Sequence, residues 1–410
     1  MSTSITRKSI IIVFITFTCL LTLTVMGVSL YVSSSNRIAY GVIAENCRLD
    51  GMTKQDAEKF FEEAGRLKLA HKSIHLTYGS QDWYISPDEI GMTANASNAA
   101  EAAYAIGRSE LNPIRNLIVR YECAKEGHYI EMDASYDESL LMAKLDAIAA
   151  ELHQDPVNAY CLLNSDGSIT KIAGISGRTL DGKALADTLA PALKKFDFTS
   201  VELSPSEQPP SVRTEDIVNI NSILASYSTS FYPGDRGRNI ELAAEKLDGV
   251  LVRSGSNFSF NDVVGERTAS AGYREAGVII DGRLEDGIGG GVCQVSSTLY
   301  NAVLLAGLDS TERTAHFSPS SYCPAGRDAT VSYGLLDFQF YNPLPNNVYL
   351  VSETSGTELT IYVLGNWGDL NGNTITLETE GNRMSPSVYR VYTRNGNVVE
   401  REFLHTDDYS

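Results

Sequence analysis

The sequence predicts an α+β protein: an N-terminal transmembrane helix, two small α+β modules, and then a mixed α+β domain of catalytic type with a cysteine at a helix N-terminus. Three observations carry this. Residues 10–32 are apolar and uncharged, long enough for a bilayer span of about 20 residues. Strand and helix periodicities then follow twice in a similar order, up to a Pro/Ser-rich stretch at residues 204–211. Finally, four glycines in residues 287–291 lead into Cys293, and Val295, Leu299, Ala302, Val303 and Ala306 recur behind it at helical spacing. The expected division is 1–37 cytoplasmic stub and signal anchor, 38–125 and 126–205 the two modules, 206–226 linker and entry, 227–366 the main domain, and 367–410 a β-hairpin tail.

In order along the chain, Arg7 and Lys8 precede the apolar stretch, which predicts a cytoplasmic N-terminus and an extracytoplasmic body. A cleaved signal peptide is the rival, with only Ser33-Ser34-Ser35 as a weak small-residue site. Thr53, with Asp56 three residues on, caps a helix carrying Ala57, Phe60, Phe61 and Ala64. Residues 74–78 and 83–85 alternate as a hairpin about Gly79-Ser80, and residues 98–106 form an Ala-rich helix ending at Gly107. The second module reads as a strand at 129–132, a helix at 137–152, a hairpin at 159–172 about Asp166-Gly167, a helix at 181–195 that Pro191 kinks or shortens, and a strand at 199–203. In the main domain, 227–231 reads as a strand, 239–247 as a helix and 257–262 as a strand end or turn. Strands are expected at 329–333, 336–341, 347–353 and 358–363. A last hairpin, 388–393 with 398–403 about Asn395-Gly396, offers no chemistry.

With 33 Lys+Arg against 51 Asp+Glu and a formal net charge of -18, the chain has no basic stripe, so nucleic acid is not an expected partner. The same charge gives no attraction to anionic lipid, so the expected contact with the cytoplasmic membrane runs through residues 10–32. Six cysteines stand at 19, 47, 123, 161, 293 and 323, without CxxC or Cys/His ligand spacing. This argues against a disulfide scaffold and against a zinc site. Five of the six lie outside the span, so at least one free thiol is expected there.

Cys293 is the thiol in the informative place. The first N–H groups of a helix have no partner within it, and the aligned peptide dipoles favour thiolate over thiol. Gly290, Gly291 and Gln294 are the candidate backbone donors for an oxyanion. A buried cysteine acting as a small hydrophobe is the alternative. A nucleophilic cysteine needs a base. His71, His75, His128, His153 and His405 lie in the front modules or near the C-terminus, leaving His316 as the candidate. Asp328 or Asp337 could orient its imidazole. Arg313 and Arg327, with Ser296, are candidate substrate-binding residues; surface salt bridging is the other reading of the arginines. Cys323 reads as a packing residue.

Residues 231–365 resemble the VanW family. The resemblance rests on Pro233, Asn239-Ile240, Asn257-Phe258-Ser259-Phe260-Asn261-Asp262, Val264-Gly265, Gly272-Tyr273, Gly289-Gly290-Gly291-Val292-Cys293-Gln294-Val295-Ser296-Ser297-Thr298-Leu299-Tyr300, Glu312-Arg313, His316, Gly326-Arg327-Asp328-Ala329, and Asp337 with Asn342. The modules before it are similar to peptidoglycan-binding domains that precede VanW or L,D-transpeptidase domains, on Gly41-Val42, residues 49–57, Ile85-Ser86-Pro87 with Ile90-Gly91, and residues 104–108. The resemblance implies a membrane-anchored enzyme of a Gram-positive-type cell wall, acting on peptidoglycan stem peptides. It would form cross-links between third residues through a Cys293 thioester, with His316 as base, Asp328 as orienter and no metal or organic cofactor. A hydrolase of stem peptides and a non-catalytic wall-binding or glycopeptide-resistance accessory protein remain open. The Ser-His-Gly-Cys motif of better-known L,D-transpeptidases is absent. Cys323 stands where the family carries an aliphatic residue, which raises a regulatory Cys293–Cys323 bridge, feasible only with Cα atoms within about 7 Å.

Overall fold

The first helix, Ser2–Ser34, contains a 24-residue window, Ser9–Val32, of mean hydropathy 2.5, long and apolar enough to cross a membrane. Its threonines do not spoil that character. Thr18 Oγ1 donates to the carbonyl of Phe14 at 2.8 Å, Thr22 to Cys19 at 2.9 Å and Thr24 to Leu20 at 2.7 Å. The hydroxyls are thus satisfied inside the helix, as a hydrocarbon environment demands. This computed structural model describes residues 2–280 and 283–409. It divides into two compact units, Met1–Gln154 with Arg178–Glu207, and Asp155–Gly177 with Gln208–Ser410.

In the first unit the strands expected in two successive modules share sheets. Val42–Ala44 pairs antiparallel with Cys47–Arg48 and parallel with His128–Tyr129. Ile74–Tyr78 pairs antiparallel with Gln81–Ile85 and parallel with Val201–Glu202. Two apolar clusters result, one around Ile38, Val42, Leu49 and Phe61, the other around Leu76, Leu141, Leu145 and Leu189. Thr53 and Asp56 form a reciprocal capping box at the start of helix Lys54–Leu69. Helix Gly182–Lys194 runs on through Pro191. The carbonyl that loses its partner belongs to Asp187, an exposed residue that water can serve.

The hairpin Tyr160–Leu163 with Ile169–Ile172 belongs to the second unit. There Ala159 and Cys161 are buried with Ile217, Ile220, Tyr349, Val351 and Leu364. The second unit is built on a four-stranded antiparallel sheet in the order Ser222–Ser230, Glu358–Gly365, Val348–Ser355, Leu251–Val252. Helices Asp235–Leu247 and Val292–Leu305 pack on it and on each other. A second sheet joins Asn257–Ser259, Gln339–Tyr341 and Asp309–Glu312, with Phe258 and Phe340 stacked at 4.6 Å. The C-terminal sheet has a third strand beyond the expected hairpin: Thr374–Asn382, Ser385–Arg394, Asn397–Thr406.

The strand expected at 329–333 does not form. The backbone of Ala329 bonds to helix side chains instead, its N–H donating to Ser297 Oγ at 2.9 Å and its carbonyl accepting from Ser296 Oγ at 2.6 Å. Those two serines therefore fix the loop that carries Asp328.

Candidate active site

The glycine run folds as it does because side chains are excluded from it. Gly291 caps helix Val292–Leu305 at φ 111°, in the left-handed region. A Cβ on Gly290 would lie 2.6 Å from the carbonyl oxygens of both Ala276 and Gly277. Asn239, fully buried, ties the run down: its Nδ2 donates to the carbonyls of Arg274 and Gly290, both at 2.9 Å, and its Oδ1 accepts the Arg274 N–H at 2.8 Å. With about 1 kcal/mol per buried hydrogen bond, Asn239→Ala is expected to lower stability by about 2–3 kcal/mol, read from a denaturant melt.

Cys293 is the second residue of that helix and is partly buried. Its Sγ lies 3.5 Å from the carbonyl oxygen of Val331. His316, with a side chain 10% exposed, donates from Nδ1 to Asp328 Oδ2 at 2.5 Å, and its backbone N–H reaches the same oxygen at 2.7 Å. The other ring nitrogen is not used by Asp328, and His316 and Cys293 are electrostatic neighbours. Asp328 is wholly buried. Its second oxygen accepts from Arg313 Nη2 at 3.2 Å and from the Tyr409 hydroxyl at 2.5 Å. Four donors thus hold one carboxylate.

The protonation states follow from these partners. Burial pushes the Cys293 thiol up, but the bond to His316 and its positive charge, with the Val331 backbone and Arg267, bring it below its ordinary value. Burial likewise opposes charge on His316, yet Asp328 and then the thiolate raise it to about 9. Asp328 stays below the usual carboxylate range because His316, Tyr409 and Arg313 outweigh its desolvation. These shifts favour thiolate on Cys293, imidazolium on His316 and carboxylate on Asp328.

The other sequence candidates have different tasks. Arg313, read as a substrate grip or a surface pair, is enclosed, bonding to the Asp328 carbonyl at 2.6 Å, Asp407 Oδ1 at 2.5 Å, the Gly326 carbonyl at 3.3 Å and Asp328 itself. Its donors face protein. Arg327 donates to the Leu377 carbonyl and to Thr379 Oγ1. Ser296 is buried against the carbonyls of Cys293 and Ala329. The Gln294 N–H bonds to the Gly291 carbonyl at 2.9 Å, and its side chain is spent on Arg236, Thr229 and the Ser230 carbonyl. Asp337, the alternative orienter, instead accepts from Ser259 Oγ and the backbone of Asn261 and Phe338. Cys323 is a free, buried thiol 3.1 Å from Ser320 Oγ, and Cys293 is also free, so the suggested bridge is not formed.

The tail, read as empty of chemistry, supplies two site residues. Asp407 is held at about 2, His405 and Arg313 prevailing over burial, and Tyr409 also accepts the Gly326 N–H at 2.9 Å. Bonds from the Asp407 and Tyr409 amides to the Pro386 and Met384 carbonyls fix both. Among the described residues no cluster of three His, Cys, Asp or Glu side chains is placed to hold a metal ion.

The fold and site define a class: an α+β protein with an apolar N-terminal helix and, behind a glycine loop, a helix-start cysteine and a histidine bonded to a buried aspartate. The sequence model described as "VanW like protein" matches residues 235–364, and that described as "Putative peptidoglycan binding domain" matches residues 83–201. The "Uncharacterized protein YoaR" of Bacillus subtilis (strain 168) is 36% identical over 214 residues, 52% of this chain and 69% of that protein. The "Vancomycin B-type resistance protein VanW" of Enterococcus faecalis (strain ATCC 700802 / V583) is 32% identical over 127 residues, 29% of this chain and 46% of that protein. No solved structure matches. The chain belongs to the VanW-like family. Cys293, His316 and Asp328 lie within the matched stretch, whereas Asp407 and Tyr409 lie beyond it.

Proposed function

We propose that this chain is a cell-wall L,D-transpeptidase-like cysteine acyltransferase. The observation that carries the reading is the His316 imidazole, bonded on Nδ1 to the buried Asp328 carboxylate and electrostatically coupled to the partly buried Cys293 thiol at the start of its helix. The match of residues 83–201 to a peptidoglycan-binding domain supports a wall polymer as ligand. So does the resistance named for the Enterococcus relative. Ser9–Val32 would anchor the chain, with Arg7 and Lys8 inside and the body facing the wall.

The Cys293 thiolate attacks the carbonyl between the third residue of a stem peptide and its terminal D-alanine. Val292 and Gln294 give their N–H groups to the Gly289 and Gly291 carbonyls. The reading therefore assigns the oxyanion to the Cys293 amide between them, with Gly290 and Gly291 shaping its approach. The tetrahedral adduct collapses as the C–N bond breaks, and the His316 imidazolium protonates the departing D-alanine amine. The side-chain amine of a neighbouring stem then attacks the thioester. His316 takes the proton of that amine, and the thiolate is released.

The test is incubation of the full chain in detergent with tetrapeptide muropeptides, wild type beside Cys293→Ala, followed by mass spectrometry. Dimers cross-linked between third residues, lost in the variant, are expected. Monomers shortened by D-alanine alone would make the protein a hydrolase. Bound but unchanged muropeptide would make it a wall-binding accessory protein.

A further inference from the structure

Two enclosed arginines of the second unit are matched by carboxylates. Arg313 pairs with Asp328 and Asp407, and Arg390 with Asp309 and Glu402. Arg267 is different. Its guanidinium lies over the Phe260 ring at 5.4 Å and its Nη1 donates to the amide oxygen of Asn261 at 2.7 Å, while its Nη2 is buried with no hydrogen-bond partner. The hydroxyl of Tyr273, a residue only 5% exposed, is also buried with no partner. The two side chains are electrostatic neighbours, and burial keeps the phenol protonated, hence a donor. Two unsatisfied donors, one cationic, are costly to bury and call for an acceptor.

Their position gives that acceptor a context. The Arg267 stem lies across the glycine loop, so close that a Cβ on Gly289 would sit 2.9 Å from Arg267 Cβ. The guanidinium is held by Asn261, whose Nδ2 donates to the Leu336 carbonyl at 2.8 Å. Leu336 bridges back to Ser332, next to the Val331 carbonyl that Cys293 touches. Arg267 is thus packed on the glycine loop and linked through Asn261 and Leu336 to the segment that carries Val331, and its charge favours the Cys293 thiolate.

We propose that Arg267 and Tyr273 form a carboxylate-binding subsite beside Cys293 that takes the terminal α-carboxylate of the acyl donor. The identity of the donor rests on the function proposed above. The unpartnered guanidinium nitrogen Nη2 and the phenol can each donate to a carboxylate, the first with charge assistance. A free carboxylate one residue past the scissile carbonyl fills the subsite. In a pentapeptide the carboxylate is carried about 3.5 Å further along the chain, so tetrapeptide donors are selected.

The test reads binding without turnover. The full-length Cys293→Ala protein in detergent is titrated calorimetrically with a tetrapeptide muropeptide and with the same molecule amidated at its C-terminus. Amidation is expected to weaken binding about ten- to hundredfold, the range for a charge-assisted pair. Adding Arg267→Gln should abolish that difference. Tyr273→Phe should weaken the tetrapeptide several-fold yet melt no lower than its parent, since the hydroxyl has no protein partner to lose. Equal affinity for both ligands, no measurable binding of either, or discrimination that survives Arg267→Gln overturns the subsite. If the carboxylate is discriminated but wild type turns nothing over, the subsite stands and the transpeptidase reading falls. Turnover without discrimination gives the reverse.

Discussion

Asp328→Ala is expected to cost about 3–5 kcal/mol, the penalty for breaking a buried ion pair, and so to lower the melting temperature of the second unit by on the order of 10 °C. The carboxylate is fully buried and holds four donors, from the His316 ring, the His316 backbone, Arg313 and Tyr409. Arg313 retains Asp407, which keeps the loss within that range rather than above it. Asp328→Asn separates stability from chemistry. It keeps the shape, but turning its amide NH2 toward His316 would force Nδ1 to accept, leaving Nε2–H against the thiol and no lone pair to take a proton. Turnover is then expected to fall by about 10³–10⁴, by analogy with tautomer reversal in serine-protease triads, while the melt shifts less than for alanine. Equal loss of melting temperature in the two variants, with turnover intact in asparagine, would show that Asp328 serves the fold alone.

How much of this was legible in the sequence depended on whether a feature is local. Thr53 with Asp56 announces its helix because a capping box is contained in four residues. Helix Pro113–Glu126 went unread although Asn112-Pro113 is a good start signal. Its apolar residues Ile114, Ile118 and Tyr121 are exposed and only Asn116 and Cys123 are buried, so it has no apolar face to recognise. Likewise Arg283–Ile288 carries Glu285, Asp286 and Gly287, which break any strand alternation. The parallel pairing of Val42–Ala44 with His128–Tyr129 joins distant segments, and no periodicity encodes it.

The site shows the same division. Cys293, His316 and Asp328 were nominated by residue type and by their place around one helix. The tasks of Arg313 and Arg327 were not, because an arginine that grips a ligand and one that closes a buried network look alike until burial is known. Tyr409 reaches Asp328 across 81 residues of sequence. Arg267 carries no sequence signal beyond its type, and Tyr273 only its place in the Gly272-Tyr273 pair of the family resemblance; what singles them out is an unfilled hydrogen bond, which only geometry records.

The second large effect concerns the thiol itself. In wild type Cys293 should be alkylated by iodoacetamide at lower pH than a free cysteine, whose value is near 8.5. Exposed Cys47 serves as internal reference in the same digest. The sign follows from the two partners. Cys293 lies below its ordinary value, so its thiolate is kept to lower pH than that of a free cysteine and is lost as pH falls through the depressed value. His316 is raised to about 9, so its contribution to folding is complete below about 6.5 and is lost as pH rises through about 9. Between those limits the ion pair is intact, and turnover that needs imidazolium as acid should decline above about 9. In His316→Ala the desolvation of the thiol remains while its counter-charge is gone, so the thiol moves above 8.5 and less than about 3% is ionised at pH 7. Alkylation of Cys293 relative to Cys47 should therefore drop at that pH. An unchanged ratio would mean that the helix N-terminus and Arg267 suffice to hold the thiolate, and that His316 is not its partner.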